Sequence, residues 1–348
     1  MRSLCRAGNF VRTIFVTSAL SYLVACGGGS GNRTPTQPST PTPPAVPSNQ
    51  WMLKGWVAET LTGTPIDGAK LVFSLVAGTR EVVTQADGAW EISQASSESL
   101  IQVEASATGY VTRRTYLLWN IGTRGDIVID LIKDSPPFSM SYYRELVRNQ
   151  FDEPEKLQPI RRWTKAPNFY IHKHNPRTDE DIPPNEFELL VSSIRIAVPQ
   201  MTGGRFEAGA IDHGSEARPE QAGYITVKFV YEPDAEYCGR ARVASDPGEI
   251  TLNHGVDGCS SPCGPFAPRT VAHEIGHALG FWHVAEGTVL NTVWFDRTCG
   301  VTAFSEGERH HARVAYARPP GNLDTDWDPA AGALFQAPVG ATVVISCK

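Results

Sequence analysis

Basic residues are in deficit in this sequence: 31 lysines and arginines face 37 aspartates and glutamates over 348 residues, a formal charge of −6. Such a chain offers no basic field to a phosphate backbone, which speaks against nucleic acid as a partner. Long apolar runs are missing as well. The stretch Ile14 to Val24 is mostly apolar but too short to span a bilayer comfortably. Cysteine is absent between Cys26 and Cys238, so disulfides of a folded region can draw only on Cys238, Cys259, Cys263, Cys299 and Cys347. In an oxidising compartment these allow up to two bridges and a leftover thiol, in any of 15 pairings, with a metal site at Cys259 and Cys263 as the alternative. What remains is ordinary globular material: 41% hydrophobic and 20% charged residues argue against wholesale disorder. The length suits two folded units or one large one.

The first 25 residues read as an export leader. Arg2, Arg6 and Arg12 precede the apolar stretch, and Leu23-Val24-Ala25-Cys26 closes it. LVAC resembles the lipobox of bacterial lipoproteins, which implies cleavage before Cys26 and a lipid on that cysteine. An ordinary secretory signal ending at Ala25 is the alternative. Either reading sends the chain out of the cytoplasm, and the first implies a membrane-anchored lipoprotein of the cell envelope, facing the periplasm or the exterior. Loss of three arginines and no acid leaves 28 basic against 37 acidic residues, so the mature charge is −9. Residues 26–50 are Gly, Ser, Thr and Pro with little to bury, and read as a tether that is flexible at first and extended later.

From Trp51 to Lys133, short alternating runs such as KLVFSLV, AWEISQ and IQVEAS are separated by Gly, Pro and Asp turns. That pattern predicts a small antiparallel β-sandwich over 51–133. GTPIDGA at 63–69, TQADGAW at 84–90 and ATGY at 107–110 resemble the carboxypeptidase regulatory-like, or transthyretin-like, module. No residue there looks catalytic, and a spacer or a binding module are both open.

The region 134–348 has a different rhythm. Ser139 to Asp152 spaces Met140, Tyr143, Leu146, Val147 and Phe151 as one face of a helix. Then follow a strand at NFYIHKH, a long helix opened by Pro183-Pro184, strands at FEAGAID, GYITVKFVY, GRARVAS and GEITLN, and a second helix from near Pro268. The expected class is therefore α/β (α+β), with a mixed sheet and an active-site helix.

That second helix reads VAHEIGHALGFWH from Val271 to His283. His273 and His277, four apart, lie on one helix face and can direct two imidazoles at a single ion. Gly280 can leave the helix through a left-handed conformation and return His283 as a third ligand. Three ligands leave a fourth position for water, the arrangement of a catalytic zinc site and not a structural one. Glu274 stands beside the ion without having to bind it, placed as general base toward a zinc-bound water and then as acid toward a leaving amine.

HExxHxxGxxH at His273, Glu274, His277, Gly280 and His283 resembles the metzincin metallopeptidases. The resemblance implies one catalytic Zn2+ on His273, His277 and His283, Glu274 as the catalytic base, and peptide or protein substrates. It also implies a five-stranded sheet whose antiparallel edge strand, here Gly239 to Val243 beside Gly248 to Asn253, takes extended substrate. The segment from Phe304 to Tyr316 resembles the family's C-terminal helix. In that family a methionine lies beneath the zinc ligands; here GTVLNTV keeps the frame and puts Leu290 in its place. A latency device of the cysteine-switch type has no thiol between Cys26 and Cys238. His310 and His311, being adjacent, cannot easily share an ion and are expected to pack or face solvent, as are His172, His174, His213 and His254.

The expected function is a monomeric, lipid-anchored, extracytoplasmic zinc endopeptidase. The competing class is a zinc-containing surface-binding or adhesive protein with little or no proteolysis.

Overall fold

The computed structural model describes residues 51–94, 100–118, 127–256, 268–291, 303–330 and 344–347. The leader, Cys26, the tether, Cys259, Cys263 and Cys299 lie outside the described residues. No helix among the described residues is long and apolar enough to cross a membrane.

Residues 51–131 form β1 (Trp51–Glu59), β2 (Lys70–Leu75), β3 (Gly78–Val83), β4 (Ala89–Gln94), β5 (Leu100–Ser106), β6 (Arg113–Leu118) and β7 (Ile127–Leu131). They make two sheets, ordered β4-β1-β7 and β3-β2-β5-β6. Alternation gives each strand one apolar face, and Leu53, Val57, Trp90 and Ile129 of one sheet share a core with Leu71, Phe73, Val103 and Leu117 of the other. The expectation of an all-antiparallel module needs one correction. β1 and β7 run parallel, Gly55 opposite Ile127 through Glu59 opposite Leu131. They are the first and last strands of the segment, so a long crossover joins them and no hairpin dictates their direction.

The rest contains α1 (Met140–Arg148), β8 (Asn168–His172), the two-residue strands β9 (His174–Asn175) and β10 (Glu180–Asp181), α2 (Pro184–Met201) and β11 (Ile211–Gly214). After these come β12 (Tyr224–Val230), β13 (Gly239–Arg242), β14 (Gly248–Asn253), α3 (Pro268–Ala278), α4 (Glu306–Tyr316) and β15 (Val344–Cys347). A mixed sheet of six strands runs β11-β8-β12-β14-β13-β15. β8, β11, β12 and β14 are parallel, while β13 is antiparallel to β14. β14 is buried along most of its length, as a central strand covered on both faces must be.

α1 is shorter than its apolar pattern suggested. Asn149 takes a left-handed conformation, φ 61°, and its N–H caps Arg144 O, so Phe151 falls outside the helix and is exposed. α4 opens with a reciprocal capping box between Ser305 and Glu308. The strand expected to be a free edge is not one. β13 lies beside β14 as anticipated, but β15 pairs antiparallel along its other side, Gly239 opposite Cys347 and Arg242 opposite Val344. A partner from about a hundred residues further along the chain leaves no trace in β13's own pattern.

Strands β1 to β7 join the second region through charge. Arg113 of β6 donates to Asp328 at 3.1 and 2.7 Å, and Arg318 binds Asp326 at 2.8 Å while also reaching Asp130 of β7. Arg318 is fully buried, so these pairs are as much a geometric constraint as a source of stability.

Candidate metal centre

All eleven residues of α3 are buried, which is why its polar members matter: each must find a partner or a ligand inside the protein. The helix packs between α2 and strands β13 and β14. His273 and His277 face the same way one turn apart, ring centroids 4.5 Å from each other.

The helix ends in a Schellman arrangement. Gly280 N–H donates to His277 O at 2.8 Å and Phe281 N–H to Gly276 O at 3.2 Å, with Gly280 at φ +115°. Glycine is required there twice over, because a Cβ would also lie 2.0 Å from Arg161 O. This reversal carries His283 back to the helix, its ring 4.8 Å from that of His277 and 5.3 Å from that of His273. One ligand atom from each of the three histidines lies within 4.8 Å of the others, the single such cluster among the described residues.

The outer ring nitrogens fix how these imidazoles can act. His273 Nδ1 meets Val289 O at 2.6 Å, His277 Nδ1 meets Phe281 O at 2.7 Å, and His283 Nδ1 meets a carboxylate oxygen of Asp152 at 2.9 Å. All three partners are acceptors, so each Nδ1 carries the hydrogen and each Nε2 presents its lone pair. The Nε2 atoms of His273 and His277 stand 2.8 Å apart. Two lone pairs at that distance repel unless a cation lies between them. A proton is disfavoured there: burial, then the neighbouring His283 and Arg269, pushes His273 down to about 3, and burial with the two other histidines puts His277 well below its ordinary value. A metal ion that takes neutral imidazole nitrogen fits this donor set, and at His273 and His277 it would meet little competition from protons.

Glu274 is fully buried on the same helix. Its carboxylate lies against the start of β13, where a Cβ on Gly239 would come within 2.4 Å of Glu274 Oε1. Only glycine at 239 leaves that space.

Leu290 is fully buried and packs against the helix between His273 and His277: a Cβ on Gly276 would meet Leu290 Cδ2 at 2.9 Å. Its main chain is held from α4. Glu308, fully buried, accepts from Val289 N at 2.9 Å and Leu290 N at 2.8 Å on one oxygen, and from Thr288 Oγ1 at 2.9 Å and Ser305 N at 2.6 Å on the other. Val289 O is the acceptor of His273, so one carboxylate on α4 sets the peptide that orients that imidazole. Sequence reading missed Glu308 and Asp152. The Ser305-x-x-Glu308 spacing marks a helix start but not the loop it also holds, and Asp152 lies 131 residues from the histidine it meets.

The remaining histidines stay apart from the cluster. His311 is buried; Ser139 N–H donates to its Nε2 at 2.9 Å, its Nδ1 donates to Gly307 O at 2.7 Å, and its ring stacks on Phe138. His172 meets Ser215 O, and His213 packs edge-on against Phe187. Cys238 is disulfide-bonded.

No protein-family model matches the chain, and no curated protein does. Among solved structures it is similar to the GM1-bound form of the ECX AB5 holotoxin, at 14% identity over 45% of this chain and 84% of the other, with a TM-score of 0.31. It is also similar to metalloproteinase-II from Bacteroides fragilis, at 13% identity over 67% of this chain and 90% of the other, with a TM-score of 0.29. Likenesses this distant carry no weight for the chemistry of the site, which rests on the chain's own residues.

Proposed function

We propose that the chain is a zinc-dependent endopeptidase of the metzincin type, held outside the cytoplasm by a lipid on Cys26 and acting as a monomer on proteins or peptides. The observation that carries this reading is the opposed pair of Nε2 lone pairs on His273 and His277, completed by His283 and set beside a buried Glu274. Three neutral imidazoles suit zinc among divalent ions. When bound, zinc supplies a Lewis acid that polarises the scissile carbonyl and stabilises the oxyanion formed from it. Glu274 takes a proton from the attacking water on its carboxylate and returns it to the leaving amine nitrogen. His273, His277 and His283 keep their Nδ1 hydrogens throughout, so their orientation survives the reaction. Since β15 covers β13, the reading does not assign substrate to that strand.

Residues 134–348 form the catalytic unit in this proposal, and 51–133 a carboxypeptidase regulatory-like β-sandwich that serves as a spacer above the 26–50 tether. The test is to express residues 51–348, measure zinc by mass spectrometry, and compare cleavage of casein and a peptide library with that of Glu274→Gln. Stoichiometric zinc and cleavage that falls by about 10²–10⁴-fold in the variant is expected. Zinc without cleavage by the unmodified protein refutes the peptidase, and no zinc at all refutes the site.

A further inference from the structure

We infer that Asp152 is the positioning residue of the third ligand, His283, an inference that rests on the metal-binding reading above. The three histidines are not held alike. His273 and His277 belong to α3 and give their Nδ1 hydrogens to backbone carbonyls. His283 lies beyond Gly280, outside the helix, and gives its hydrogen to a side-chain carboxylate, Asp152 Oδ2, at 2.9 Å.

That carboxylate is itself built in. α1 grips the segment around His283 on both sides: Trp282 N–H donates to Leu146 O at 2.8 Å, and Ala285 N–H donates to Glu145 Oε2 at 2.9 Å. Beyond the helix, Glu153 N–H donates to Asn149 O at 2.9 Å, which closes the turn that presents Asp152. The last residue of α1, Arg148, is fully buried and donates to Asn322 O at 2.8 Å, Asn322 Oδ1 at 2.6 Å and Leu323 O at 2.9 Å. Asp152 therefore arrives at His283 on the turn that follows an anchored helix. A carboxylate in this place fixes the Nδ1–H tautomer, makes Nε2 a better donor to a cation, and offsets part of the ion's charge where a carbonyl would not. Its side chain is partly exposed while that of His283 is nearly covered, so the contact acts on the ligand without forming part of the core.

The experiment is a double-mutant cycle read in affinity for Co2+, followed by its visible absorption against a competing chelator. Asp152→Ala is expected to weaken Co2+ binding by about 10–100-fold, and Asp152→Asn by less, because the amide oxygen still accepts the Nδ1 hydrogen. In a His283→Ala background, adding Asp152→Ala should change affinity by no more than about twofold, since the residue acts only through that ring. A general structural role would cost as much in either background. Near-UV circular dichroism of the metal-free forms checks folding, and Asp152→Asn carries the cycle if the alanine variant does not fold. Unchanged affinity in Asp152→Ala while His283→Ala weakens binding overturns this inference alone, as does an equal loss in both backgrounds. An unmodified protein that takes up no Co2+ overturns it together with the metal-binding reading.

Discussion

Replacing Glu308 by glutamine changes one atom type at a place where four donors converge. The carboxylate accepts from Val289 N and Leu290 N on one oxygen and from Thr288 Oγ1 and Ser305 N on the other, with no exposure to water. A glutamine can keep its carbonyl oxygen toward Val289 and Leu290. Its NH2 then faces Ser305 N–H donor to donor, while the Thr288 hydroxyl can turn to accept. One half-buried N–H is thus stranded, at about 1–3 kcal/mol, and the bonds that remain lose the strengthening that a charged acceptor gives, roughly another 1 kcal/mol in sum. A loss of about 3 kcal/mol corresponds to a fall in melting temperature of roughly 6–12 °C for a region of this size. The effect should reach the metal centre as well, because Val289 O is the acceptor of His273 Nδ1. The assay is thermal unfolding of metal-free protein by circular dichroism, with Co2+ affinity measured in parallel; affinity should fall by up to about tenfold. A melting temperature within about 1 °C of the unmodified protein would show that the loop carrying Leu290 is not held by Glu308, and the reasoning would be wrong.

Other outcomes follow from the same geometry. Gly239→Ala places a methyl group 2.4 Å from where Glu274 Oε1 now lies, so the base must move: hydrolysis should drop by tenfold or more, on the order of one lost proton-transfer alignment, while metal content stays stoichiometric. Loss of the metal in that variant would place the damage in the ligands instead. Leu290→Met is close in volume within a packed site and should cost under about 1.5 kcal/mol, retaining both metal and activity. Metal loss there would mean that the floor has been rebuilt around leucine. Acid should destabilise the fold through His311, which burial pushes down to about 4. The folded state then holds fewer protons than the unfolded one between roughly pH 6.5 and 4, so stability present above that window is lost as pH falls through it, on the order of 3 kcal/mol in all. The cause is concrete, since a proton on Nε2 would confront Ser139 N–H. Urea midpoints measured across that range should be steeper in pH for the unmodified protein than for His311→Gln, and equal slopes would exclude His311 as the source.

The cluster of His273, His277 and His283 was legible from residues alone because helix geometry is local. A four-residue step fixes His273 and His277 on one face whatever surrounds them, and Gly280 marks the reversal wherever a Schellman turn is needed. The same locality made most of the elements readable. β14 spans Gly248–Asn253, the very run GEITLN, and α2 begins at Pro184 just where Pro183-Pro184 announces it. The parallel pairing of β1 with β7 and the cover that β15 lays on β13 were not readable, since strand direction and neighbours depend on segments brought from far along the chain.

The division within the site itself has the same origin. The sequence by itself determined which side chains come together, because those residues share one helix and one turn. Only the tertiary structure decided how the rings of His273 and His283 are oriented, because their acceptors come from elsewhere: Val289 O from a loop held by Glu308, and Asp152 from the turn that follows α1; His277 alone finds its acceptor locally, in Phe281 O. Which histidines come together is set by short-range spacing, whereas the tautomer and aim of two of the three are set by hydrogen bonds that form only when distant segments pack together.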